Sequence, residues 1–163
     1  MKVLYRNVII STLFTAIFAY YFNFLIAAHW IVLFFVASIF VLWLLSFFYS
    51  RKSFFQMIYL GELIVYFTIE IFKASFQVAW DIITPKNKME AGVIAVPLDV
   101  RTNLEITVLS SLISLTPGTL CIDISEDRSH LFVHAMYIHH GDVERLKQEL
   151  KDGFERRVIR IFN

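Results

Sequence analysis

The chain has 163 residues, a net charge of +1, 58% hydrophobic residues and only 18% charged ones. A soluble globular domain carries roughly 45–50% apolar residues, so the excess argues against an ordinary soluble protein, and the lack of any block of like charges argues against a nucleic-acid surface. A single cysteine, Cys121, rules out an internal disulfide framework, and without a CxxC there is no cysteine-based zinc signature.

The charges are unevenly spread. Between Arg6 and Arg51 there is none, and only His29 could carry one. As one helix, residues 7–50 would extend about 66 Å, whereas the hydrocarbon core is ~30 Å thick. Two spans are therefore predicted, over 5–26 and 30–49, joined by a turn at Ala27-Ala28-His29-Trp30. Lys2 and Arg6 ahead of an apolar run also fit a signal peptide, but the run is too long for a signal h-region and reads as a retained anchor. Lys2 and Arg6 flank one end of this hairpin and Arg51 and Lys52 the other, which places both ends in the cytoplasm. Residues 1–52 are thus read as a transmembrane helical hairpin.

Residues 53–83 are also apolar, but Glu62, Glu70, Lys73, Gln77 and Asp81 interrupt them along one helical stripe, with Tyr66 filling the gap. Glu70 and Lys73 stand within pairing reach at i,i+3. Two placements are open. The segment is an amphipathic helix in the membrane surface, or it crosses as a third span with its stripe against other helices. A third crossing would carry the charged C-terminal half outside, so the interfacial placement is favoured.

Thr84–Gly92 reads as a polar linker and 93–163 as a small cytoplasmic α+β domain. Val93–Leu98 is a predicted strand, with Pro97 at its edge or end. Thr102 and Glu105 form a capping box that opens a helix with Leu104, Val108, Leu112 and Leu115 as its apolar face. Pro117 disfavours helix at Thr116 and ends it. Leu120, Ile122 and Ile124 alternate with polar residues as the buried side of a strand. After a turn at Glu126–Ser129, Leu131–Ile138 returns as its hairpin partner. Asp142 caps a last helix with Val143, Leu146, Leu150 and Phe154 buried. The tail 157–162 fits helix or strand. The order β-α-β-β-α points to a ferredoxin-like or split β-α-β arrangement.

Thr116-Pro117-Gly118-Thr119 has proline and glycine where a type II turn requires them, and it lacks the lysine and spacing of a phosphate loop. Cys121 sits in a strand with nothing to activate its thiol. His134, His139, His140, Asp123 and Asp142 read as polar loop and strand-end residues rather than a metal site. No nucleophile elbow is present. Neither a catalytic centre, a cofactor site nor a metal site is expected.

From Pro97 to Ile138, "PLDVRTNLEITVLSSLISLTPGTLCIDISEDRSHLFVHAMYI" resembles the E subunit of Mrp-type (multiple resistance and pH) Na+/H+ antiporters. The match rests on "EIT" (Glu105–Thr107), "LTPGT" (Leu115–Thr119), "DISED" (Asp123–Asp127) and "LFVHAM", in that order behind an apolar N-terminal third. The resemblance implies a small subunit of a multi-subunit complex in the bacterial plasma membrane that exchanges cytoplasmic Na+, or another monovalent cation, for external protons. It implies that the other antiporter subunits and the bilayer are the partners, that the chain is no enzyme, and that Thr116, Pro117 and Gly118 matter most. The expected role is in assembly and in the cation path. Glu62, Glu70, Lys73 and Asp81 are the candidates for a polar route or a polar interface. The alternative is a scaffold that shapes the membrane beside the transporting subunits and touches no ion.

Overall fold

A computed structural model describes residues 2–21, 28–84, 90–138 and 142–162. They fall into two compact units, Met1–Ile58 and Tyr59–Asn163.

The first unit holds α1 (Lys2–Tyr21), α2 (Ala28–Tyr49) and the first turns of α3 (Arg51–Ile83). α1 and α2 lie where two helices are expected, although residues 22–26 and Ala27 lie outside the described residues. Ala28, His29 and Trp30, expected in the turn, already belong to α2, because no glycine or proline there stops a helix. Most large side chains of α2 are exposed. What α1 buries is polar and small: Asn7, Ser11 and Thr15, one helical turn apart. Asn7 Nδ2 donates to the Leu42 carbonyl at 3.4 Å, and Thr15 Oγ1 donates to the Ser11 carbonyl at 2.8 Å. Such small polar faces let membrane helices approach closely. Phe18 stacks on Phe34 with ring centroids 4.1 Å apart, and Trp43 on Phe54 at 4.8 Å.

α3 is one unbroken helix of 33 residues, about 50 Å long at 1.5 Å per residue. Among the described residues, Trp30–Phe48 and Arg51–Ile83 are long and apolar enough to cross a membrane.

The second unit continues from α3 through β1 (Gly92–Pro97), α4 (Asn103–Leu115), β2 (Thr119–Ile124), β3 (His130–Ala135), α5 (Val143–Leu150), a π-helical turn (Lys151–Glu155) and α6 (Arg156–Phe162). The three-stranded sheet runs β1-β3-β2, antiparallel at both joints. The two strands connected through α4 are thus split by the third. The tail is helix, not strand, and Val158 extends the buried stripe of Leu150 and Phe154.

Two expected faces are met only in part. In β2, Leu120 and Ile122 are exposed, while Thr119, Cys121 and Ile124 turn inward. The register slips between Cys121 and Asp123, and such a bulge shifts the phase of the alternation. In α4 the buried residues are Glu105, Ile106, Leu109 and Ile113; Leu104 and Leu115 are exposed, and Val108 and Leu112 only border the core. The capping box forms as expected: Thr102 Oγ1 accepts from the Glu105 amide, and Glu105 Oε2 accepts from the Thr102 amide at 2.9 Å. The buried face is the second apolar row of α4, Ile106, Leu109 and Ile113, with the Glu105 carboxylate beside it.

Candidate functional site

The turn after α4 is built as its residues dictate. The Thr119 amide donates to the Thr116 carbonyl at 3.2 Å, and Gly118 has φ 94°. These are the closing bond and the left-handed third residue of a type II turn. Both threonines add hydroxyls: Thr116 Oγ1 donates to the Leu112 carbonyl at 2.9 Å and Thr119 Oγ1 to the Ile113 carbonyl at 2.7 Å. The Leu112 carbonyl is one that a helix C-terminus otherwise leaves orphaned, and the Ile113 carbonyl also accepts from the Thr116 amide at 3.1 Å. The Gly118 carbonyl accepts from the Met136 amide at 2.8 Å, which pins the turn to the end of β3.

Next to it stands Tyr137. A Cβ added at Gly118 would come within 3.3 Å of the Tyr137 ring. The Tyr137 hydroxyl is enclosed, and burial first, then the Asp81 carboxylate, hold its pKa above the ordinary tyrosine value. Among the described residues, no partner meets the hydroxyl at standard hydrogen-bond geometry, so Asp81 and Tyr137 approach each other without a fully formed bond. Gln77, Pro117, Gly118, Tyr137, Arg145 and Glu149 line a polar cleft of ≈ 130 Å³ beside this junction. The turn and the distal end of the α3 stripe, separate in the sequence, therefore share one cleft.

The proximal end of the stripe meets the C-terminal helices. Glu62 Oε1 lies 3.2 Å from Arg157 Nε and Glu62 Oε2 lies 3.6 Å from Arg160 Nη1. The Arg157 guanidinium sits 3.8 Å from the Tyr66 ring centroid. Tyr66 packs edge-on against Phe154 at 5.4 Å and Phe67 against the same ring at 6.4 Å. Leu63, one turn earlier on α3, is buried in the core. Gly153 lies against Tyr66, and a Cβ there would strike the Tyr66 hydroxyl. Between these ends, Glu70 and Lys73 pair with each other at 2.8 Å. Of the four charged candidates, Glu62 and Asp81 face the C-terminal domain, whereas Glu70 and Lys73 are satisfied within α3.

Sequence reasoning missed four residues here. Arg157 and Arg160 carry no sequence signal, since their partner stands more than ninety positions earlier. Gly153 does signal itself, as a glycine inside an otherwise helical run. Glu155 is the fourth: it is 2% exposed, and its Oε1 accepts from the amides of Asp99 and Val100 at 2.5 and 3.0 Å. The π turn, closed by the Arg156 amide on the Lys151 carbonyl, places it there.

Burial pushes the Cys121 thiol up, which keeps it neutral. Among the described residues, no three His, Cys, Asp or Glu side chains gather as metal ligands; His139 and His140 lie outside them.

A family model described as Na+/H+ ion antiporter subunit matches residues 9–161. The E subunit of the Na+/H+ antiporter of Alkalihalophilus pseudofirmus is 33% identical over 128 residues, covering 78% of this chain and 80% of that relative. Its Bacillus subtilis counterpart is 36% identical over 125 residues, covering 73% of this chain and 78% of its own length. Among solved structures, a chain of the membrane-bound sulfane sulfur reductase, an archaeal respiratory membrane complex, covers 97% of this chain and 98% of its own with a TM-score of 0.57 at 17% identity, a likeness of fold. A chain of the Mrp complex from a Dietzia species is 30% identical over 64% of this chain and 96% of that one, with a TM-score of 0.49.

Proposed function

The chain belongs to the family of Na+/H+ ion antiporter subunits, and from that premise we propose that it is the E subunit of a multi-subunit complex that exchanges Na+ for protons across a bacterial plasma membrane. Its partners are the other subunits of that antiporter and the bilayer. Its work is in transport, with no reaction of its own. The α1–α2 hairpin anchors it, and the excess of Lys2, Arg6, Arg51 and Lys52 at the ends of the hairpin favours a cytoplasmic C-terminal domain.

Within the complex, the two ends of the stripe Glu62, Glu70, Lys73, Asp81 serve as a polar interface, with Glu62 and Asp81 fixing α3 to the α+β domain and Glu70 and Lys73 paired on α3 itself. The observation that carries this is the pairing of Glu62 with both Arg157 and Arg160. At the other end, Asp81 and Gln77 meet the Thr116-Pro117-Gly118 turn through Tyr137 and the shared cleft. In this reading the turn and the stripe are two ends of one joint that sets the domain against neighbouring subunits.

The test is Na+-driven proton movement in inverted vesicles, with assembly followed on native gels. Complexes lacking this chain should lose exchange, and complexes with Glu70→Ala should assemble and exchange normally. Normal exchange without the chain would overturn the subunit role. Normal assembly with exchange lost in Glu70→Ala would move the stripe onto the ion path.

A further inference from the structure

Resting on that reading, we propose that α3 lies in the membrane–water interface along Tyr59–Ile83 and presents its apolar side to the lipid of the cytoplasmic leaflet, without crossing the bilayer. α3 has two unlike sides. Leu63, Tyr66, Phe67, Gln77 and Asp81 face the α+β domain. Val65, Ile69, Phe72, Phe76, Trp80 and Ile83 form the other side and are all exposed, Phe76 by 78%. Their spacings of four, three, four, four and three keep them on one stripe.

An apolar helix face this long requires a cover, and three observations point to lipid. In the chain, Ser50 alone separates α3 from α2, most of whose large side chains are also exposed. Arg51 and Lys52, both exposed, stand at the start of α3, where the headgroups of anionic lipid would meet them. The face is rich in phenylalanine and carries a tryptophan near its end, residues suited to the boundary between headgroup and acyl chain.

The opposite side decides between lying on the membrane and crossing it. Along this stretch α3 is covered by a domain whose own Arg145 and Glu149 line the cleft beside Gln77 and are exposed. If Tyr59–Ile83 crossed, the domain and these ions would be carried to the depth of the hydrocarbon, where ionised groups are strongly disfavoured. A helix lying flat leaves the domain in water and buries only the apolar stripe.

The experiment uses the assembled complex in bilayers, in a Cys121→Ser background, with one environment-sensitive fluorophore at Val65→Cys, Phe72→Cys, Phe76→Cys or Ile83→Cys. Quenching is compared between lipids bearing a nitroxide near the headgroup and lipids bearing it deep on the acyl chain. A flat helix gives stronger shallow than deep quenching, in the same ratio, at all four positions. A ratio that inverts midway along the helix means that α3 crosses and overturns the proposal. No quenching by either lipid means that protein covers the face and overturns it too. If the chain fails to co-purify with antiporter subunits, the functional reading falls. The same labels in the full chain reconstituted by itself then still decide where α3 lies.

Discussion

The Arg157 guanidinium lies 3.8 Å from the ring centroid of Tyr66. One residue is on the last helix of the chain and the other in the middle of its most apolar-looking charged segment. Cation–π contacts contribute about 0.5–2 kcal/mol, and partly exposed ion pairs such as Glu62–Arg157 about 0.2–1 kcal/mol. Neither is large alone. Together with Tyr66 and Phe67 on Phe154 and with Leu63 in the core, they give α3 a specific seat on the domain.

Gly153 makes that seat possible. Gly153→Ala would push a methyl into the Tyr66 hydroxyl. Overpacking of this kind costs about 1–3 kcal/mol, and the variant should melt lower in detergent. Combining it with Tyr66→Phe removes the struck atom and should recover part of the loss. An additive double variant would show that the two residues do not share the space.

Gly118→Ala forces a residue with a Cβ to φ 94°, at about 1–2 kcal/mol for a left-handed non-glycine, and brings that Cβ against Tyr137. Reduced thermal stability and a smaller yield of assembled complex are expected. An unchanged yield on native gels would separate the turn from assembly.

How far the sequence could be read depends on how local the cause was. The capping box and the type II turn are set by four-residue patterns, and both appear where Thr102–Glu105 and Thr116–Thr119 place them. The α3 stripe was visible from spacing, but Arg157 and Arg160 were not, because long-range pairing leaves no periodicity. The face of β2 was misread because a bulge at Ile122 shifts the alternation. α4 offers two apolar rows, and the buried one is Ile106, Leu109 and Ile113, on the side to which Glu105 is turned by its capping bonds.

Glu155 holds two backbone amides with one oxygen. Glu155→Ala orphans the buried Val100 amide, at about 1–3 kcal/mol, and leaves the amide of exposed Asp99 to water. Glu155→Gln keeps an acceptor and should lose less. Equal losses in thermal melts would mean that the charge, rather than the acceptor, holds the loop after β1.

Asp127 at the β2–β3 turn has its pKa lowered from 3.8 to about 2 by hydrogen bonds from Ser125 and Ser129. Glu105 is lowered as well, first by the Thr102 amide. A depressed carboxylate stabilises the fold above its unfolded pKa and loses that contribution as pH falls through the folded value. Both contributions are therefore full at neutral pH and fade in acid, for Asp127 between about 4 and about 2. In melts over that range, Asp127→Asn should show a shallower pH dependence than the parent chain. Identical slopes would remove Asp127 from the acid response.

The most direct test of the joint between α3 and the domain is a charge exchange. Glu62→Arg sets three cations together, and Glu62→Arg with Arg157→Glu and Arg160→Glu restores opposite signs. Native gels and Na+-driven proton movement in inverted vesicles would be read on both. The account predicts that assembly and exchange fall together in the single variant and return together in the exchanged one. Normal assembly in both, with exchange lost in both, would contradict it and make the Glu62 carboxylate part of the ion path.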